Sequence, residues 1–87
     1  SLDLAGWEWD SRPAPQVPDH EMGGIIRFEI KVDDNGDVIS IKTLERSVSP
    51  ETERICKREV EKLTFTKTGV NVPDITTGTI TFVVRSR

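Results

Sequence analysis

The sequence predicts a small α+β domain in which elements in the order ββαβ form a three-stranded antiparallel sheet, order 2-1-3, with one helix packed on one face. Three observations predict it: paired alternating runs around Asn35-Gly36, a capped amphipathic segment starting at Ser49, and a further alternating run from Thr79 to Arg85. A chain of 87 residues suits one domain with a single core.

Residues 1–22 hold Trp7, Trp9, Pro13, Pro15 and Pro18 with no period, so they read as an extended, polyproline-like lead-in or linker end. Trp7 and Trp9 are taken to face opposite sides, one covering the core and the other a candidate aromatic contact for a partner. The domain proper is expected over residues 23–87. In its first strand, Ile26, Phe28, Ile30 and Val32 alternate with Arg27, Glu29 and Lys31, as a strand buried on one face requires. Asn35-Gly36 then predicts a two-residue type I′ turn. That turn sets Asp34 opposite Asp37, Val32 opposite Ile39, Ile30 opposite Ile41 and Glu29 opposite Lys42.

Ser49 is a good N-cap, Pro50 fits the first helical position, and Glu51 and Glu53 suit the positive end of the dipole. Cys56, Val60 and Leu63 recur at helical spacing and form the stripe that should face the sheet. Thr66 to Gly78 mixes Thr, Gly, Asn and Pro without period and reads as a loop. The last strand, Thr79 to Arg85, sends Ile80, Phe82 and Val84 one way and Thr79, Thr81, Val83 and Arg85 the other. It is expected beside the first strand, leaving both sheet edges open and Ile25 and Val83 on a second face that the tryptophans or a partner would cover.

Composition excludes some functions. A net charge of −3 and pI near 5.1 argue against nucleic acid as partner, and no apolar run approaches the roughly 18 residues of a membrane helix. No catalytic, metal or cofactor set is expected. His20 sits in the lead-in without an oriented partner, and Cys56 lies on the inward stripe as a small apolar filler. The DDNGD run from Asp33 starts like a calcium loop, but Val38 stands where that loop needs Gly and Leu44 where it needs Glu. Gly23-Gly24 has no following helix to make a phosphate loop. The chain is therefore read as a binding module and not an enzyme.

The leading candidate surface is backbone. Residues Thr79, Ile80, Thr81, Phe82, Val83, Val84 and Arg85 form an edge strand to which an extended peptide can add, unless Arg85 and Arg87 act only to protect that edge.

Gly24 to Ile30 reads G-x-I-x-F-x-I, Asn35 to Ser47 reads NGDVISIKTLERS, Val60 to Phe65 reads VEKLTF and Gly78 to Arg85 reads GTITFVVR. In this order and spacing they resemble the C-terminal domain of TonB-type energy transducers, across about residues 23 to 87. GWEWD and the prolines up to Pro18 are similar to the lead-in of a TonB/TolA-like branch associated with Bacteroidota. Phe65-Thr66 stands where the family often has an aromatic-proline pair, and Cys56 where it often has a helix aromatic. The resemblance implies a periplasmic domain of a protein anchored in the inner membrane. Its partners would be inner-membrane motor proteins, through an upstream part, and an outer-membrane transporter whose TonB box pairs with the last strand. The alternative is a non-transducing periplasmic scaffold, or a TolA-like domain whose edge strand pairs with itself in a homodimer.

Overall fold

A computed structural model of the protein describes residues 1–86; Arg87 lies outside the described residues. The elements are β1 (Leu2–Asp3), β2 (Trp7–Trp9), β3 (Gly23–Asp33), β4 (Val38–Arg46), α1 (Pro50–Glu61), β5 (Phe65–Lys67) and β6 (Ile75–Arg85). The α+β class is as expected, but the three-stranded sheet is corrected. Four antiparallel strands run in the order β1-β6-β3-β4, and β2 and β5 form a second, two-stranded sheet. The expected 2-1-3 order persists inside the larger sheet as β4-β3-β6. The added strands come from segments read as lead-in and loop, and strands of two or three residues are too short to display a period of two. β6 also starts at Ile75 rather than Thr79, because Thr76, Thr77 and Gly78 pair with β3 despite carrying no apolar alternation.

β3 is the centre of the fold. Ile26, Phe28, Ile30 and Val32 are fully buried on its inner face, with Ile80 and Val84 of β6 beside them. Helix α1 begins as the capping residues dictate: the Ser49 side chain accepts the Thr52 N–H at 3.2 Å, and Pro50 opens the first turn. Cys56 and Val60, with Leu63 just past the helix end, close over the sheet as the stripe predicted.

The hairpin departs from expectation at its turn. Asp33 accepts the Gly36 N–H at 3.1 Å and donates its own N–H to the Asp37 carbonyl at 3.0 Å, so the loop holds Asp34, Asn35 and Gly36. Gly36 alone takes positive φ there, +89°, which is a type I turn closed by a glycine bulge and not type I′. The Asp33 carboxylate accepts the N–H groups of Asn35 and Asp37, both at 3.0 Å, and this Asx geometry favours the αR start of the turn. The third loop residue shifts the pairing by one, so Val32 faces Val38 and not Ile39. Left uncorrected, that slip would turn the β4 side chains to the wrong face. Ile39 bulges out instead, and Ser40 to Thr43 return to the expected register, Ile30 opposite Ile41 and Glu29 opposite Lys42. A second bulge at Leu44 precedes the Glu45 and Arg46 pairs.

The N-terminal residues are built into the fold. Leu4 and Trp7 are buried in the core, and Leu2, Trp9 and Val17 pack against it. The Trp7 Nε1–H donates to Thr76 Oγ1 at 3.0 Å. Trp7 and Trp9 point to the same side, correcting the expectation of opposite sides, since residues two apart on a strand share a face. Ile25 and Val83 on the outer face keep 37% and 69% of their surface exposed, so neither ring covers them.

Candidate strand-addition edge

The four-stranded sheet has two outer sides, and they differ in what they offer. β4 carries its bulges at Ile39 and Leu44, both about half exposed, and bulges twist an edge away from regular pairing. β6 is regular. Its eleven residues pair with β3 from Gly23↔Arg85 to Asp33↔Ile75 without a register shift, which makes it the better template for a further strand.

Part of that template is taken. Leu2 lies opposite Ile80 and Asp3 opposite Thr79. The Ser1 carbonyl accepts the Thr81 N–H at 2.9 Å, and the Ser1 amine donates to the Thr81 carbonyl at 2.6 Å. Thr81 therefore turns both backbone groups away from β3, and alternation gives Thr79, Val83 and Arg85 the same outward direction. Ile80, Phe82 and Val84 direct theirs towards β3. No strand among the described residues pairs with Phe82–Arg85 on the outer side.

The side chains of the predicted strand divide accordingly. Ile80 and Val84 are core residues, and Phe82 is half-buried with its ring edge-on to Phe28 at a centroid distance of 6.3 Å. Thr79, Thr81, Val83 and Arg85 lie on the outer face, where the Thr81 hydroxyl accepts the Arg27 Nε–H at 3.2 Å. Along the open part of the edge runs a half-open groove of about 320 Å³, lined by Ser1, Trp9, Arg12, Pro13, Phe82 and Val83 among others. The Arg12 guanidinium stands 5.9 Å from the centre of the Trp9 ring. Trp7 is withdrawn into the core, leaving Trp9 as the ring within reach of the edge.

Two carboxylates that the sequence did not single out hold this arrangement. Glu21 is buried and ties the lead-in to the helix start: its oxygens accept the N–H groups of Ser49 and Gly23, each at 2.9 Å. A hydrogen bond from the Thr52 side chain, then the Ser49 and Gly23 N–H groups, lower its pKa from 4.5 to about 2 against the opposing effect of burial. Asp10 accepts the hydroxyls of Thr64 and Thr66, which lower its pKa and fasten the end of β2 to β5. Glu21 lies outside every periodic segment, so only a fixed-distance acid before a helix cap would have signalled it.

A carboxyl with a depressed folded-state pKa contributes stability that is complete above its unfolded value and lost as pH falls through the folded one. For Glu21 that window runs from about 4.5 down to about 2. Urea midpoints at pH 7, 4.5, 3 and 2 are expected to decline across it, and Glu21→Gln is expected to lower the pH 7 midpoint while flattening the decline.

Burial first, then the charges of Glu21 and Glu59, push the Cys56 thiol up to about 11, away from nucleophilic use. His20, expected to lack an oriented partner, instead has its Nε2 3.2 Å from Glu51 Oε2, with both side chains exposed. Among the described residues no group of His, Cys, Asp and Glu has the disposition of a metal site, and no helix is long and apolar enough to cross a membrane. Comparison of the chain with protein-family models, curated proteins and solved structures finds no match.

Proposed function

We propose that this chain is a peptide-capturing periplasmic domain of a TonB-type energy transducer, without catalytic activity of its own. It takes the TonB box of an outer-membrane transporter as an added strand on β6 and passes on force from an inner-membrane motor through an anchored upstream part. The observation that supports the binding step is β1: an extended segment sits on the outer side of β6 by antiparallel backbone pairing, so that side of the strand accepts an added strand. Backbone pairing of this kind accepts varied side chains and holds a pulled peptide through several hydrogen bonds loaded together.

An NMR titration of the amide signals with peptides from the periplasmic ends of transporters tests it. Saturable shifts concentrated at Thr79–Arg85, with new protection from exchange, are expected. Val83→Pro is expected to weaken binding by about tenfold through loss of one outward donor, and Val83→Ala by no more than about twofold. No shift with a panel that includes a cognate transporter would sink the transducer reading.

The second reading, a self-pairing TolA-like scaffold, is favoured by the regularity of the same edge, since two copies of β6 related by a two-fold axis meet antiparallel. Sedimentation would then give a mass that rises towards the dimer with concentration.

A further inference from the structure

We infer that Asn35-Gly36 at the hairpin tip is a site of spontaneous modification by water, deamidation to iso-aspartate, which the native turn holds back and which cuts β5 loose from the hairpin once it has occurred.

In this reaction the Gly36 amide nitrogen gives its proton to hydroxide and attacks Asn35 Cγ. A C–N bond forms, the side-chain amide leaves as ammonia, and a five-membered succinimide ring remains. Water then opens either ring carbonyl, giving aspartate or iso-aspartate at position 35 with no change of oxidation state. A following glycine leaves the attacking nitrogen unhindered because it carries no Cβ. Asn71, the other asparagine of the chain, precedes Val72, whose branched side chain crowds the same approach.

The native turn separates the two reacting groups in accessibility. Asn35 is exposed to water, whereas Gly36 is buried. The Gly36 N–H donates to the Asp33 carbonyl at 3.1 Å, and the Gly36 carbonyl accepts the Phe65 N–H at 2.9 Å. A proton held by a carbonyl is shielded from hydroxide, and a peptide unit tied at both ends cannot swing its nitrogen onto Cγ. The Asp33 carboxylate fixes the loop further by accepting the N–H groups of Asn35 and Asp37, both at 3.0 Å. Attack therefore waits for the tip to open. The rate in the folded chain is then the rate in the unfolded chain multiplied by the fraction of time the tip is open.

The two products differ in what they allow. Aspartate keeps the backbone length at an exposed position, so the turn re-forms. Iso-aspartate routes the main chain through Cβ and adds one atom before Gly36. With that atom inserted, Gly36 cannot reach the Asp33 carbonyl on one side and the Phe65 N–H on the other at its φ of +89°. The neighbouring Asp37↔Thr64 bridge is lost with them, and β5 no longer touches the hairpin tip.

The test incubates the 87-residue chain at pH 8 in buffer and in urea sufficient to unfold it. Mass spectrometry of proteolytic peptides reads the exchange of NH2 for OH, and chromatography separates the two isomers. Modification at position 35 is expected in both solutions, at least about tenfold more slowly in buffer, with Asn71 intact over the same interval. The Gly36 amide is expected to show hydrogen-exchange protection of the same order, since one opening serves both reactions. Asp33→Ala, which removes two of the hydrogen bonds closing the loop, is expected to narrow the gap between buffer and urea by about threefold or more. The purified iso-aspartate form is expected to lose protection at the Phe65 amide, and the aspartate form to keep it.

Equal rates in buffer and urea, or no modification in either, would overturn the inference. So would an iso-aspartate form whose Phe65 amide is as protected as before. Slowing in buffer that matches global unfolding and not Gly36 exchange would put the gate in the whole fold and overturn the role of the tip.

Discussion

Phe28→Ala is expected to cost about 3–5 kcal/mol, the largest loss of any single truncation in this chain. Phe28 is fully buried at the middle of the central strand, opposite Ile80 on one side and Thr43 on the other. Its ring also meets Phe82 edge to face, with an interplanar angle of 78°, an arrangement worth about 0.5–1.5 kcal/mol beyond area. A domain of 87 residues has a total stability of only about 4–13 kcal/mol, so the variant should be largely unfolded in low urea. Phe82→Ala should cost about half as much, because Phe82 is only half-buried, yet it should weaken peptide binding through the groove it lines. Ile25→Ala, on the outer face of the same strand, should change stability by less than about 1 kcal/mol. Urea unfolding of the three variants checks the assignment of faces: equal losses at Phe28 and Ile25 would be incompatible with the sheet as described.

Where burial is one-sided, the sequence was legible. Ile26, Phe28, Ile30 and Val32 could only be an inner face, and Ser49-Pro50 could only open a helix. The ordering β4-β3-β6 followed from those elements. What could not be read were contacts whose signal is a single residue at long range. Leu2 and Asp3 pair with β6 across nearly the whole chain, Trp7 reaches Thr76 through one indole N–H, and Glu21 reaches Ser49 across a proline-rich segment. None of these leaves a local pattern.

The candidate edge was legible in identity and not in state. Alternation from Thr79 to Arg85 marked the strand, and its position beside β3 made it terminal in a three-stranded sheet. That β1 would cover Thr79 to Thr81 depended on two residues too few to call a strand from sequence. The outcome is a ladder covered from Thr79 to Thr81, with Leu2 as an example of the side chain an added strand presents to Ile80.

The hairpin turn yields the sharpest contrast between two neighbouring positions. A type I′ turn would need positive φ at both Asn35 and Gly36, so an alanine at either would be costly. Among the described residues, Asn71 is the one non-glycine at positive φ, whereas Gly36 stands at +89°. Asn35→Ala is therefore expected to change stability by less than about 0.5 kcal/mol, as an exposed turn position does. Gly36→Ala meets two penalties. An L-residue in the left-handed region costs about 1–2 kcal/mol, and a Cβ there would run into the Phe65 carbonyl oxygen. Relieving that contact moves β5 from the hairpin tip and breaks the 2.9 Å hydrogen bond from the Phe65 N–H to the Gly36 carbonyl, worth about 0.5–1.5 kcal/mol. The sum is about 1.5–3.5 kcal/mol, with amide exchange expected to quicken at Phe65 before it does so in β3. Similar losses at Asn35 and Gly36 would restore the two-residue turn, and with it a hairpin that has no need of the Ile39 bulge.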